Sequence, residues 1–234
     1  MGKATSLITI GGMAGKRHYD DPCGVARALD LIGERWALLV VRELLLGPKR
    51  FSDLSRGLPG MSQNVLSQRL RELEQAGIVR RVRLGPPAST GGYELTESGA
   101  GLDQVLLAMA RWGSRLPIGS AADLSVDALA LALRTTFEPG AAAGLRTVLA
   151  LRISDDLLRA ELDGGRFRIS RISAPDADTD ATLTSGVSTL RSLVFGGLPL
   201  ATALANGDAQ ATGDLDATAR FLRCFPRPGT AADA

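Results

Sequence analysis

The sequence predicts two units in tandem: a mainly helical one carrying a single β-hairpin, then an α+β one. Three observations predict this. Apolar residues recur at helical spacing from Cys23 to Trp112, broken once by a turn-rich, β-prone stretch. Past Pro117 the composition shifts to Ala, Leu, Asp and Thr. Charge divides at the same place, because 1–116 carries 16 Lys and Arg against 11 Asp and Glu, whereas 117–234 carries 11 against 14. A chain of 234 residues has room for both units.

The elements follow in order. Residues 1–17, rich in Gly and with two Lys, read as a flexible tail, with Met13 an alternative start. Asp21-Pro22 signals a helix entry, and Val25, Ala28, Leu29 and Ile32 space a first helix. Gly33 breaks it. Trp36, Leu39, Val40, Val41 and Leu44 then make a second helix, closed by Gly47-Pro48. A third, Phe51 to Arg56, stops at Gly57-Leu58-Pro59-Gly60. Ser62 is a good N-cap for a fourth, with Leu66, Leu70 and Leu73 as its apolar stripe and Gly77 at its end. Ile78 to Leu84 and Tyr93 to Thr96 are β-prone and flank a Gly/Pro-rich turn. Thr96 caps a fifth helix running through Leu102, Val105, Leu106, Met109 and Trp112. Two short helices joined by a tight turn and followed by a hairpin make a winged helix-turn-helix, placed over 18–116.

A linker at 117–122 leads to the second unit, 123–226, with 227–234 a C-terminal tail. Its pattern is a helix from Leu124 to Arg134, then strands over 147–154, 157–162 and 166–173, with a turn at Asp163-Gly164-Gly165. Ala181 to Thr184 is a further strand, Val187 to Phe195 and Pro199 to Asn206 are short helices, and Gln210 to Gly213 returns as a strand. Asp214 caps a last helix ending near Cys224. About 100 residues suffice for an independent core.

Several classes are excluded. No stretch approaches the ~20 apolar residues that cross a bilayer. The apolar patch Leu7 to Ile10 is too short for a signal peptide, and two cysteines make no disulfide framework, so the expected location is the cytoplasm. The one histidine, His18, falls at the edge of the tail, which leaves no Ser-His-Asp triad and no two-histidine metal site. Asp155-Asp156 reads as a turn and Asp176 to Asp180 as a solvated loop. No catalytic residues, metal or cofactor are expected, and the chain is not expected to be an enzyme.

The fourth helix carries the functional signal. With its leucines inward, Gln63, Asn64, Ser67, Gln68 and Arg71 project outward. These are the types that read base edges, Gln and Asn on adenine, Arg on guanine and Ser on either. The window 49–83 holds eight Lys and Arg against three acids. Lys49 and Arg50, before the third helix, and Arg80, Arg81 and Arg83, on the first hairpin strand, are candidate phosphate contacts. Arg81 and Arg83 share one strand face and Arg80 takes the other. Ser62 and the amides beside it offer an anion site. Arginine outnumbers lysine 24 to 3 throughout, which points to a GC-rich genome rather than to phosphate binding.

Residues 23–113 resemble the HxlR-type winged-helix regulators, relatives of the MarR family. The resemblance rests on CGVARALDLIGERWALLVVREL, on GPKRFSDLSRGLPGMSQNVLSQRLRELEQAGIVRR and on Tyr93-Glu94-Leu95-Thr96 at the wing's end. It implies a bacterial transcription regulator, a homodimer on a pseudo-palindromic operator in double-stranded DNA, dimerised through terminal helices. Cys23 stands where several such regulators carry a redox-sensing cysteine. A helix start activates a thiol, while Asp20 and Asp21 oppose that. The second unit is similar to sterol carrier protein type-two-like domains, over DADTDATLTSGVSTLRSLVFGGLPLATALANGDAQATGDLDATARFL. That resemblance implies an apolar cavity for a small hydrophobic or lipid-like ligand, with no pocket residues assigned. Three readings follow: a DNA-binding regulator tuned by such a ligand, a thiol switch triggered at Cys23, or a lipid carrier whose winged unit makes protein contacts.

Overall fold

The structure, a computed structural model, describes residues 18–85, 90–117 and 122–227. The tail 1–17, the hairpin tip, most of the linker and nearly all of the C-terminal tail lie outside the described residues. The first unit comprises α1 (Gly24–Ile32), α2 (Ala37–Leu44), α3 (Phe51–Gly57), α4 (Gln63–Gln75), β1 (Val79–Leu84), β2 (Thr90–Leu95), α5 (Glu97–Ala100) and α6 (Asp103–Gly113). Its core is Val40, Val41, Leu44, Leu54, Leu58, Leu66, Leu70 and Leu73, with Ile78 and Val79 from the hairpin's base. The single fifth helix of the sequence reading is two helices. Thr96 accepts from the amide of Gly99 and caps only α5, and the chain turns again through Gly101 before α6. Gly99 cannot be larger there, because a Cβ would lie 2.1 Å from the carbonyl oxygen of Ile78.

The second unit comprises α7 (Val126–Thr136), β3 (Thr147–Ile153), β4 (Asp156–Asp163), β5 (Arg166–Arg171), β6 (Ala181–Ser185), α8 (Val187–Phe195), α9 (Leu200–Asn206), β7 (Ala209–Gly213) and α10 (Leu215–Leu222). The strands form one sheet in the order β5-β4-β3-β6-β7, antiparallel except where β3 pairs with β6. Strand alternation puts Leu149, Leu151, Ile153, Leu158, Ala160, Leu162 and Leu183 in a core closed by helices. Phe137, Phe167, Phe221 and Phe225 meet there with ring centroids 4.9 to 6.1 Å apart. An apolar groove of about 590 Å³ lies between α8 and α10, bordered by Leu193, Val194, Leu198, Leu222 and Phe225. Cys224 is buried beside it, and burial pushes its thiol above the usual range. Asp155-Asp156 and Asp176 to Asp180 are more than solvated turns. Asp156 opens β4 and pairs with Arg171, and Asp180 accepts from Val148 N and Thr147 Oγ1.

The two units are not strung on a free linker. α7 is buried nearly all round, at Val126, Asp127, Ala128, Leu129, Ala130, Leu131 and Leu133. Leu129 and Leu133 belong to the second core while Leu131 belongs to the first, and Leu46 of the first unit packs on the second core. A buried ion cluster fastens this seam. Glu43, fully buried in α2, accepts from Lys49 Nζ at 2.9 Å, Ser125 Oγ at 2.6 Å and Arg42 Nη2 at 2.8 Å. Lys49 also pairs with Asp127 of α7, which is held in turn by Arg171 at 3.1 Å. Gly57 makes room for the cluster, since a Cβ would lie 2.2 Å from Glu43 Oε2. No helix of the described residues is long and apolar enough to cross a membrane.

Lys49→Met strands two buried carboxylates without their shared cation, a loss of about 3 kcal/mol or more. Urea unfolding should therefore shift by that amount while remaining one transition. Tryptophan fluorescence, which reports the first unit through Trp36 and Trp112, should coincide with far-ultraviolet circular dichroism. Two separated transitions would contradict the shared helix.

Candidate nucleic-acid interface

The turn between α3 and α4 sets the geometry. Leu54, Leu58 and Met61 bury beneath it, and Gly60 takes φ +85°, a conformation that favours glycine. Ser62 Oγ then accepts from Val65 N at 3.3 Å and caps α4. Along its 13 residues, about 20 Å, α4 divides cleanly. Leu66, Leu70 and Leu73 are essentially inaccessible. Gln63, Asn64, Gln68 and Arg71 are exposed and Ser67 is half-buried. The side chain of Gln68 is not wholly free, because Nε2 donates to Glu72 Oε1 at 3.0 Å. A helix of this length, with Gln, Asn and Arg along one face, is long enough to lie in a DNA major groove.

Cations of the 49–83 window divide into three groups. Lys49 is a correction: its side chain, 11% exposed, turns its ammonium inward to Glu43 and Asp127, away from phosphate. Arg69 is likewise buried, pairing with Glu72 and lying 3.7 Å from Glu34. Arg56, Arg80 and Arg81 are exposed but paired, with Asp53 at 3.7 Å, Glu94 at 2.6 Å and Glu74 at 3.3 Å. Such exposed pairs are weak and exchange readily for another anion. Arg50, Arg71 and Arg83 form no ion pair among the described residues.

β1 and β2 pair antiparallel from Val79↔Leu95 to Leu84↔Thr90, and Arg81 of β1 reaches Glu74 of α4 at 3.3 Å. Its base is anchored by the backbone of Lys49, which donates to and accepts from Tyr93 at 2.9 and 2.8 Å. Arg81 lies over the Tyr93 ring at 5.8 Å. Hence the residue that binds the seam through its side chain also fixes the wing through its main chain.

Other exposed side chains of the first unit are apolar. Val25 and Leu29 on α1 and Val105, Met109 and Trp112 on α6 are exposed, Val25 and Trp112 to 70%. Three of the four residues that predict α1, Val25, Ala28 and Leu29, are therefore exposed, whereas the fourth, Ile32, is buried together with Ala26. Cys23, exposed, is the N-cap of α1, its Sγ accepting from Ala26 N at 3.3 Å. His18 is held against α1, with Nε2 3.1 Å from Asp30 Oδ2. Sequence reasoning missed the cluster around Glu43. The signal was one acid inside the apolar run Leu38 to Leu46.

Known proteins similar to this chain also carry a helix-turn-helix. The model of the HxlR-like helix-turn-helix family matches residues 31–117. The HTH-type transcriptional regulator YvaP of Bacillus subtilis is 38% identical over 38% of this chain and 82% of its own length. The chain belongs to the HxlR-like helix-turn-helix family. Mb3122 of Mycobacterium bovis, another HTH-type transcriptional regulator, is 42% identical over 41% of this chain, which spans 60% of that relative's length. The quinone-bound structure of YodB from B. subtilis is 37% identical over 39% of this chain and 97% of that one, with a TM-score of 0.34. In this HxlR-like chain the family match stops at 117, before α7 and the sheet.

Ser62→Ala removes the cap of α4 and should cost about 1 kcal/mol in denaturant unfolding. Ser62→Asp, which restores an acceptor at the helix start, should recover most of it. Equal loss in both variants would mean that the cap does not set the helix start.

Proposed function

We propose that this HxlR-like protein is a sequence-specific DNA-binding transcriptional regulator, acting as a homodimer whose operator affinity is tuned by a small hydrophobic ligand of the C-terminal unit. The observation that carries the reading is the division of α4 into a leucine side and a Gln/Asn/Arg side, flanked by Arg50 and Arg83 without ion-pair partners among the described residues. Gln63, Asn64, Ser67, Gln68 and Arg71 read base edges; Arg50, Arg80, Arg81 and Arg83, with the amides behind Ser62, hold phosphates. The exposed apolar side chains of α1 and α6 suit a dimer interface. Two α4 helices one DNA turn apart, about 34 Å, then meet the halves of a pseudo-palindrome. The C-terminal unit is read as sterol-carrier-like from its order of strands and helices and its apolar groove. On this reading the chain works by binding, without catalysis.

A second reading is favoured by Cys23, an exposed thiol at the start of α1 beside the apolar surface. YodB, 40% identical over 88 residues, is a relative solved with a quinone bound. Oxidation or alkylation of Cys23 would place new bulk against the dimer surface and release DNA.

A gel shift on the gene's own upstream DNA should give a salt-sensitive, sequence-specific complex. Arg71→Ala should lose about 1–3 kcal/mol of binding concentrated on one base position. Uniform weakening with a salt slope shallower by about 1 would reassign Arg71 to phosphate, and the absence of any complex would reject the regulator. Cys23→Ser should leave the complex intact and, if the second reading holds, abolish its release by quinone or diamide.

A further inference from the structure

Where the two units meet, the seam opens into a cleft of about 530 Å³, within the range of small-molecule pockets. One wall is the first unit, with Leu45 and Leu46 after α2, Leu95 at the foot of the wing, and Ala100 and Asp103 at the α5–α6 turn. The other wall is β4 and β5 of the second unit, and Arg134 of α7 joins the two. β5 is an edge strand, so its rim leaves backbone N–H and C=O groups unpaired by any strand. Phe167 and Ile169 line the cleft from one side of that strand, and Arg168 and Ser170 from the other.

We infer that this cleft is a binding site for a small amphipathic anion, an aromatic or aliphatic body carrying one acidic group. The body lies on Leu45, Leu46, Leu95, Phe167 and Ile169. The acidic group is taken by Arg168, with Ser170 beside it. Arg168 suits that role because it is the least committed cation of the cleft. It is 65% exposed, and its contact with Glu161 is 3.4 Å. Arg134, by contrast, is clamped on both oxygens of Asp103 at 2.6 and 2.7 Å, and Arg159 lies 2.7 Å from both oxygens of Asp178. An occupant touches the foot of the wing, the start of α6 and the sheet at once. It therefore distinguishes any two arrangements of the units, which is what regulation by a ligand requires. The α8–α10 groove cannot do this directly, being lined by the C-terminal unit alone. Occupancy of the cleft is independent of DNA binding; its regulatory consequence rests on the function proposed above.

The probe is 8-anilinonaphthalene-1-sulfonate, an aromatic body with one anionic group, titrated into the full chain by fluorescence. Its neutral counterpart, N-phenyl-1-naphthylamine, is the control. One saturable site for the sulfonate is expected, tighter than for the amine. Arg168→Ala should weaken the sulfonate about tenfold, the loss of one charge-assisted hydrogen bond, and leave the amine unchanged. Ser170→Trp, at an exposed position, should block both by filling the cleft. Val194→Trp, which fills the α8–α10 groove, should block neither. Sulfonate binding that survives Arg168→Ala and Ser170→Trp, or that falls with Val194→Trp, overturns the assignment. A gel shift on the same samples separates the two questions: a specific DNA complex with no cleft binding sinks only the cleft, and cleft binding without a complex sinks only the regulator.

Discussion

Lys49 is the residue on which the arrangement depends. Its ammonium sits between Glu43 of the winged unit and Asp127 of α7. Burying one carboxylate is costly, and burying two around one cation is tolerable only when further donors complete the shell. They do. Arg42 and Ser125 serve Glu43, Arg171 serves Asp127, and Asp156 balances Arg171. Three cations face three carboxylates. Because ion pairs are directional where apolar contacts are not, the cluster sets the register in which the sheet unit docks. The apolar share of the seam, Leu131 on one side and Leu46 on the other, supplies bulk without choosing an orientation.

From that anchor the rest follows along short covalent and packing paths. Lys49 lies one residue before the cap of α3, so the seam and the helix-turn-helix share a strand of chain. Its main chain pairs with Tyr93, which ties the wing to the same point. The helix-turn-helix and its wing are thus positioned by the contact that joins the units. A change in the cleft beside that contact has little distance to travel. Asp103, at the start of α6, meets Arg134 of α7, and α6 carries the exposed Met109 and Trp112 at its other end.

Much of this was legible in the sequence where local rules act alone. Ser62, Thr96 and Asp214 cap helices as their types predict, and the leucine stripe of α4 faces inward. Strand alternation and the Gly164-Gly165 turn located β4 and β5. What failed needed tertiary partners. Lys49 read as a phosphate contact because charge usually seeks water, yet it finds two buried carboxylates that spacing does not reveal. The stripe of α1 was correctly periodic but could not say whether its apolar side met a core or another surface. α7 read as the first helix of a separate domain, because a helix apolar all round looks the same whether one core covers it or two. Leu131 and Leu133 show the two allegiances within three residues.

Native-state hydrogen exchange tests the joint body most directly. Amides in the middle of α2, α7 and β3 should open with one common free energy, equal to that of global unfolding, since α7 cannot leave either core without exposing Glu43 and Asp127. A winged unit whose α2 amides exchange at lower cost while α7 and β3 stay protected would contradict it.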